Sequence, residues 1–281
     1  MNNTPHATRQ RHPVARFLLG NLLPGLALLL LMGYGVRFLG AGLRNTSHVT
    51  GWILLGTLFL LTLHGPRKKL TVLPLGAMHL WTGLHLLTGF VVIPLFAFHV
   101  GKWIPNGFLD TLLTLCFWLV ALSGVVGFLL YRGVPKRLTR RGVEVILERI
   151  PGEREAIRRE VEQAVITLAA TTGSTTLAEF HACRLHPFLS KPCNIHEHLL
   201  DLHRSRFTLV NEIKGLERYL DAREMAVLRR IETLVLRKDD LDHHCTLQGL
   251  LKAWLLVHLP LTSGLWILVI WHMLNVLGFQ G

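Results

Sequence analysis

Five apolar runs, at about 17–39, 50–64, 73–100, 108–131 and 252–276, limit this chain's possible folds more than any other feature. A helix that crosses a bilayer needs about 20 mostly apolar residues. Between the fourth and fifth runs, the stretch from Pro135 to Asp242 holds most of the acids and bases. Charged residues are 17% of the 281, against roughly 25% in an ordinary soluble domain, so the runs outside that stretch prefer lipid. The pattern predicts an all-α integral-membrane bundle of five transmembrane helices, with a helical cytoplasmic insert between spans four and five. The expected organisation is spans one to four in 1–131, the insert in 132–250, and the fifth span with a short external tail in 251–281. The first run follows a basic stretch, as a secretory leader would. Its apolar character continues to Leu39 before a poor small-residue site, Gly40-Ala41-Gly42, which predicts an uncleaved helix.

The formal net charge of +12 could suit nucleic acid, but the positions of the bases argue against that partner. Arg9, Arg11 and Arg16, then Arg67, Lys68 and Lys69, then Arg132, Lys136, Arg137, Arg140 and Arg141 all flank apolar runs. Juxtamembrane Lys and Arg mark the cytoplasmic side. If the five helices alternate, these clusters share one face, and the other carries only Arg37, Arg44 and Lys102. The expected location is the inner (plasma) membrane of a bacterium, multi-pass in lipid, with the N-terminus and insert cytoplasmic and the C-terminus external. The four cysteines, Cys116, Cys183, Cys193 and Cys245, form neither a CxxC pair nor CxxCH, which excludes a covalently attached c-type haem and a zinc ribbon.

Four histidines interrupt the hydrocarbon. His85 and His99 lie fourteen residues apart on the third run, and His258 and His272 lie fourteen apart on the fifth. On an α-helix that spacing is about 3.9 turns, or about 40° of rotation and about 21 Å of rise. The third and fifth spans run in the same direction, so His85 shares a depth with His258, and His99 with His272. Two facing imidazoles at one level can grip a planar metal macrocycle from its two faces, and imidazole suits iron. Gly83, Gly89, Gly124, Gly127 and Gly264 would let a porphyrin edge approach the backbone, while Pro94 and Pro260 would bend the ligand helices. A lone intramembrane histidine more simply bonds a neighbouring helix, but two equal-spaced, depth-matched pairs fit haem better.

With these pairs on the third and fifth spans, the chain resembles the dihaem b-type membrane cytochromes, including respiratory cytochrome b and the transmembrane domains of ferric reductases. The resemblance implies two non-covalent haems b, with His85, His99, His258 and His272 as axial ligands of the iron. It also implies electron transfer across the membrane, between a quinone or cytoplasmic-side partner and an outer-face acceptor. No GxGxxG and no appended flavin or nicotinamide domain is visible. The expected donor or acceptor is therefore a quinone or a redox partner protein: a flavoprotein, an iron–sulfur protein or a c-type cytochrome. Quinol oxidation or ferric reduction with such partners are the enzymatic options. The alternative is a non-redox membrane sensor or scaffold acting through its cytoplasmic helical domain.

Other polar residues read more plainly. His79 is twenty residues before His99, about 200° around the helix, so it leaves the ligand face. His64 reads as an interfacial residue, with an inner-haem ligand or a quinone contact as the alternatives. The stretch EFHACRLHPFLSKPCNIHEHLLDLH matches no zinc signature and reads as a solvated helical hairpin with surface histidines. Within the insert, Pro151 and Gly173 bracket a helix with Ile157, Val161, Val165 and Leu168 on one face. Asp239, Asp240 and Asp242 read as charges at the start of the last helix, and His243, His244 and Cys245 as a docking face for a redox partner.

Overall fold

Helix is the only regular structure formed by the described residues, which are 46–69, 76–101, 107–141, 145–173 and 175–278 of a computed structural model. The apolar run at 17–39 and the residues Arg37, Arg44 and Lys102 lie outside them. Ten α-helices follow in order: α1 Thr46–Thr62, α2 His64–Lys69, α3 Met78–Val100, α4 Phe108–Leu138, α5 Ile150–Thr172, α6 Thr176–Phe180, α7 His186–Ser190, α8 Ile195–Leu200, α9 Arg204–Leu216 and α10 Ala222–Gly278. Short 3-10 turns precede α5 and α10, and one π-helical turn, His181–Leu185, joins α6 to α7. Among the described residues, four helical segments are long and apolar enough to cross a membrane: Ser47–Arg67, Met78–Val100, Phe108–Leu138 and the stretch within Ala222–Gly278.

The chain divides into two compact units, Met1–Val125 with Leu261–Gly281, and Val126–Pro260. The sequence places the insert boundaries where the apolar runs stop, at 132 and 250. The boundaries between these units fall inside α4 and α10, and both helices continue past the ends of those runs. Helix α10 alone has 57 residues, about 85 Å of rise, so roughly a third of it suffices to span a bilayer.

In the first unit, α1 packs along α3. Leu54 and Leu58 of α1, Val92, Leu95 and Phe96 of α3, Phe117 of α4 and Leu265 of α10 form its core. The Phe96 and Phe117 rings stack with centroids 3.7 Å apart. Around this narrow core the periphery is apolar as well: Phe59, Phe98, Leu122, Ile267 and Leu274 are all more than half exposed. Helices apolar on every side suit hydrocarbon rather than water. Gly101 ends α3 in the left-handed region at φ 65°, its N–H returning to the carbonyl of Ala97.

The second unit has an amphipathic core. Pro151 lies in the first turn of α5, and Gly173 closes it at φ 66°. Between them Ile157, Val161, Val165 and Leu168 are buried against Leu209 and Ile213 of α9 and against Leu228, Ile231, Leu234 and Val235 of α10. The buried stripe of α10 then turns ionic. Lys238, Asp239, Asp242, His243 and His244 are each no more than 3% exposed. This corrects the reading of the acids as charges at the start of the last helix, which begins at Ala222. It also corrects the reading of His243 and His244 as a docking face.

Pairing explains the burial, since a charge leaves water only when other groups replace its hydration. Lys238 Nζ lies 2.6 Å from Asp242 Oδ2, donates to the Lys191 carbonyl at 2.9 Å, and sits 3.9 Å from the centre of the Phe188 ring. Asp239 Oδ2 accepts from Arg141 and Arg206, each at 3.2 Å, and Arg206 also reaches Asp240 at 2.6 Å. Asp242 further takes Arg154 at 3.4 Å and the backbone N–H of Cys193 at 3.0 Å. His244 Nε2 donates to the Arg141 carbonyl at 2.9 Å. His198 of α8, read from sequence as a surface residue, is 2% exposed, with Nε2 3.6 Å from Asp239 Oδ1. His186, His196 and His203 are exposed as expected.

Burial pushes His243 down to about 4, and the nearby Arg141 charge adds to the effect. Burial also lowers His198, against the opposing pull of Asp239. A histidine held neutral in the fold gives full stability above its unfolded value of 6.5, and that stability is lost as pH falls from 6.5 towards 4. The expected loss from His243 is roughly 3 kcal/mol. Thermal melting of the full chain in detergent between pH 7.5 and 4.5 should show it, and His243→Leu should flatten that slope.

Candidate functional site

A cavity of about 490 Å³ opens in the first unit between α1, the C-terminal end of α3, the start of α4 and the end of α10. Its size falls in the range of small-molecule and cofactor sites. Both His99 and His272 line it, so the structure brings together the pair that the depth argument assigns to the outer level. Leu54, Leu58, Phe117, Leu265 and Val269 give it apolar walls.

Hydrogen-bond partners at Nδ1 favour one tautomer of each imidazole. The Thr50 hydroxyl donates to the Ser47 carbonyl at 3.0 Å, as serine and threonine often do inside helices. With its proton used there, Thr50 Oγ1 is placed to accept from His99 Nδ1–H, the two atoms 3.2 Å apart. On the other side His272 Nδ1 lies 3.0 Å from Asp110 Oδ1, and a carboxylate can only accept. Both rings therefore keep a lone pair on Nε2, the form an iron or other metal needs, with the opposite nitrogen tethered. Gly51 stands against His99. A Cβ there would lie 3.0 Å from the ring's Cε1, so glycine leaves the imidazole its place.

Sequence reasoning passed over Thr50, Gly51 and Asp110. Asp110 had a visible signal: it is the one acid in the first turn of α4, at the edge of an apolar run where a carboxylate needs a reason to be. Gly107, at φ 112°, takes a backbone that only glycine adopts readily. Its carbonyl accepts from both the amide (3.1 Å) and the hydroxyl (2.8 Å) of Thr111, which fixes the turn that carries Asp110.

The other two histidines sit differently. His85, in the first unit, donates from Nδ1 to the Leu61 carbonyl at 3.0 Å, the same tether to the same nitrogen. Its ring centroid lies 4.9 Å from that of His64. Imidazoles on opposite faces of one metal need centroids about 6 Å apart, given metal–nitrogen bonds of about 2 Å. His64 and His85 lie closer together than that. His79 is exposed, off the ligand face as its spacing predicts. His258, in the second unit, stacks on Trp254 with centroids 5.1 Å apart. Trp254 also lies over Gly127, where a Cβ would come within 2.1 Å of the indole. The notch read from sequence as room for a porphyrin edge is filled by Trp254. Gly83, Gly124 and Gly264 face open space, and Gly89 has only Leu61 at 4.0 Å.

Among the described residues no three His, Cys, Asp or Glu side chains converge as a ready metal site. Comparison with known proteins returned no matching family model, no matching curated protein and no matching solved structure.

The Gly127 contact predicts a stability effect. Gly127→Ala should cost about 1–3 kcal/mol by overpacking the indole, and most of that cost should vanish in a Trp254→Ala background. A double-mutant cycle on denaturation midpoints measures it.

Proposed function

We propose that the chain is a membrane-embedded dihaem cytochrome b that carries electrons between a quinone or cytoplasmic-side redox protein and an acceptor at the outer face. The observation that supports this most is the shared cavity of His99 and His272, each imidazole tethered at Nδ1 with Nε2 left as a ligand. When bound there, haem iron supplies one-electron transfer. The protein's part is to hold two neutral imidazoles in fixed tautomers, keep water out with the Leu54, Leu58, Phe117 and Leu265 walls, and leave room at Gly51. His85 and His258 are the proposed ligands of the second, inner haem. The Nδ1 tether of His85 to Leu61 supports its part in that level.

The proposed topology has five spans, counting the run at 17–39, with the charged insert on the cytoplasmic side. A C-terminal phosphatase fusion should then be active outside the cell, and activity only inside would reverse the orientation.

Haem content tests the function directly. Purified protein from haem-sufficient cells should carry about two protohaems per chain, extractable by acidic acetone. His99→Ala and His272→Ala should each lower this to one and remove the same spectral component, while His85→Ala and His258→Ala remove the other and His79→Ala spares both. A colourless, folded preparation would sink the proposal and leave the sensor or scaffold reading.

A further inference from the structure

Resting on the dihaem reading, we propose that Asp110 is a positioning residue for the outer haem: its carboxylate holds His272 in the ligating tautomer and favours the oxidised iron. An acid in the first turn of α4 could be explained by the helix dipole alone. The dipole does not account for the contact with His272, which is 162 residues away in the chain and on another helix. Both side chains line the same cavity, and each is only partly exposed, Asp110 at 42% and His272 at 32%.

The two outer ligands are unequal. His99 donates to a neutral hydroxyl, whereas His272 donates to an ionised carboxylate. Charge-assisted hydrogen bonds are roughly twice as strong as neutral ones. Drawing the Nδ1 proton towards Asp110 raises the electron density at Nε2, so His272 becomes the stronger donor to a bound metal. The same negative charge, in an apolar-walled site, also stabilises the ferric state against the ferrous one. Thr50 lends His99 no such charge. The outer haem's potential is therefore set through His272, and the geometry assigns that control to one carboxylate.

The test begins with wild-type protein, because absence of haem there defeats the dihaem reading before any variant is made. With haem present, Asp110→Asn and Asp110→Glu are compared by potentiometric titration and low-temperature electron paramagnetic resonance. Asp110→Asn should retain two haems and make one of them easier to reduce by on the order of tenfold, about 59 mV upward for one electron. That haem should be the component lost in His272→Ala, and its g-values should shift. Asp110→Glu, which keeps the charge, should stay near wild type. Unchanged potentials and g-values in Asp110→Asn would overturn the proposal. So would a shift of equal size in Asp110→Glu, or loss of the outer haem in both variants, which would make Asp110 a folding residue only.

Discussion

An imidazole placed among apolar side chains must find a partner for its N–H, and the first unit is arranged around that requirement. His99 uses Thr50, His272 uses Asp110, and His85 uses the Leu61 carbonyl. Each partner comes from a different helix than the histidine it serves. The tethers therefore join α1 to α3 and α4 to α10, in a unit whose apolar core is small and whose outer surface is greasy. Where packing between helices offers little discrimination in lipid, polar contacts between them give orientation and register. The Nδ1 bonds supply both and decide the tautomer at the same time.

The second unit meets a similar constraint with the opposite result. Its buried charges close on one another: Lys238 with Asp242, and Asp239 with Arg141 and Arg206. Such pairs give little net stability against an apolar replacement, but removing one member strands the other. Two imidazoles remain outside this closure. His198 has only Asp239 Oδ1, at 3.6 Å from Nε2, and His243 has only the Arg137 backbone near its ring. Neutral imidazole tolerates that position far better than imidazolium, which is why His243 is held near 4 and why acid is the condition that stresses this unit.

Much of the helical frame was legible because apolar runs and helix punctuation are local signals. Pro151, Gly173 and the stripe from Ile157 to Leu168 are readable within one segment, and so is the fourteen-residue spacing of the histidines. The missed features all depend on distant partners. Asp110 means little until His272 is beside it, and Trp254 gives no hint that Gly127 lies under its indole. The run Lys238–His244 looks solvated because charge normally marks a surface. Only bases brought from Arg141, Arg154 and Arg206 make its burial tolerable.

The tethers also bear on whether the histidines serve merely to join helices. A residue kept for that purpose gains from its hydrogen bond and loses whatever its second nitrogen cannot satisfy. In an apolar setting an unsatisfied acceptor costs about 1–3 kcal/mol, which cancels most or all of the roughly 1 kcal/mol that the bond contributes. Serine or threonine would join the helices without that cost, since a hydroxyl can accept and donate at one atom and otherwise back-bond to its own helix, as Thr50 does with Ser47. At His99 and His272 the second nitrogen belongs to residues lining one cavity, with an acid behind one ring and a hydroxyl behind the other. Two such residues lining a common space are what the proposed haem site asks for.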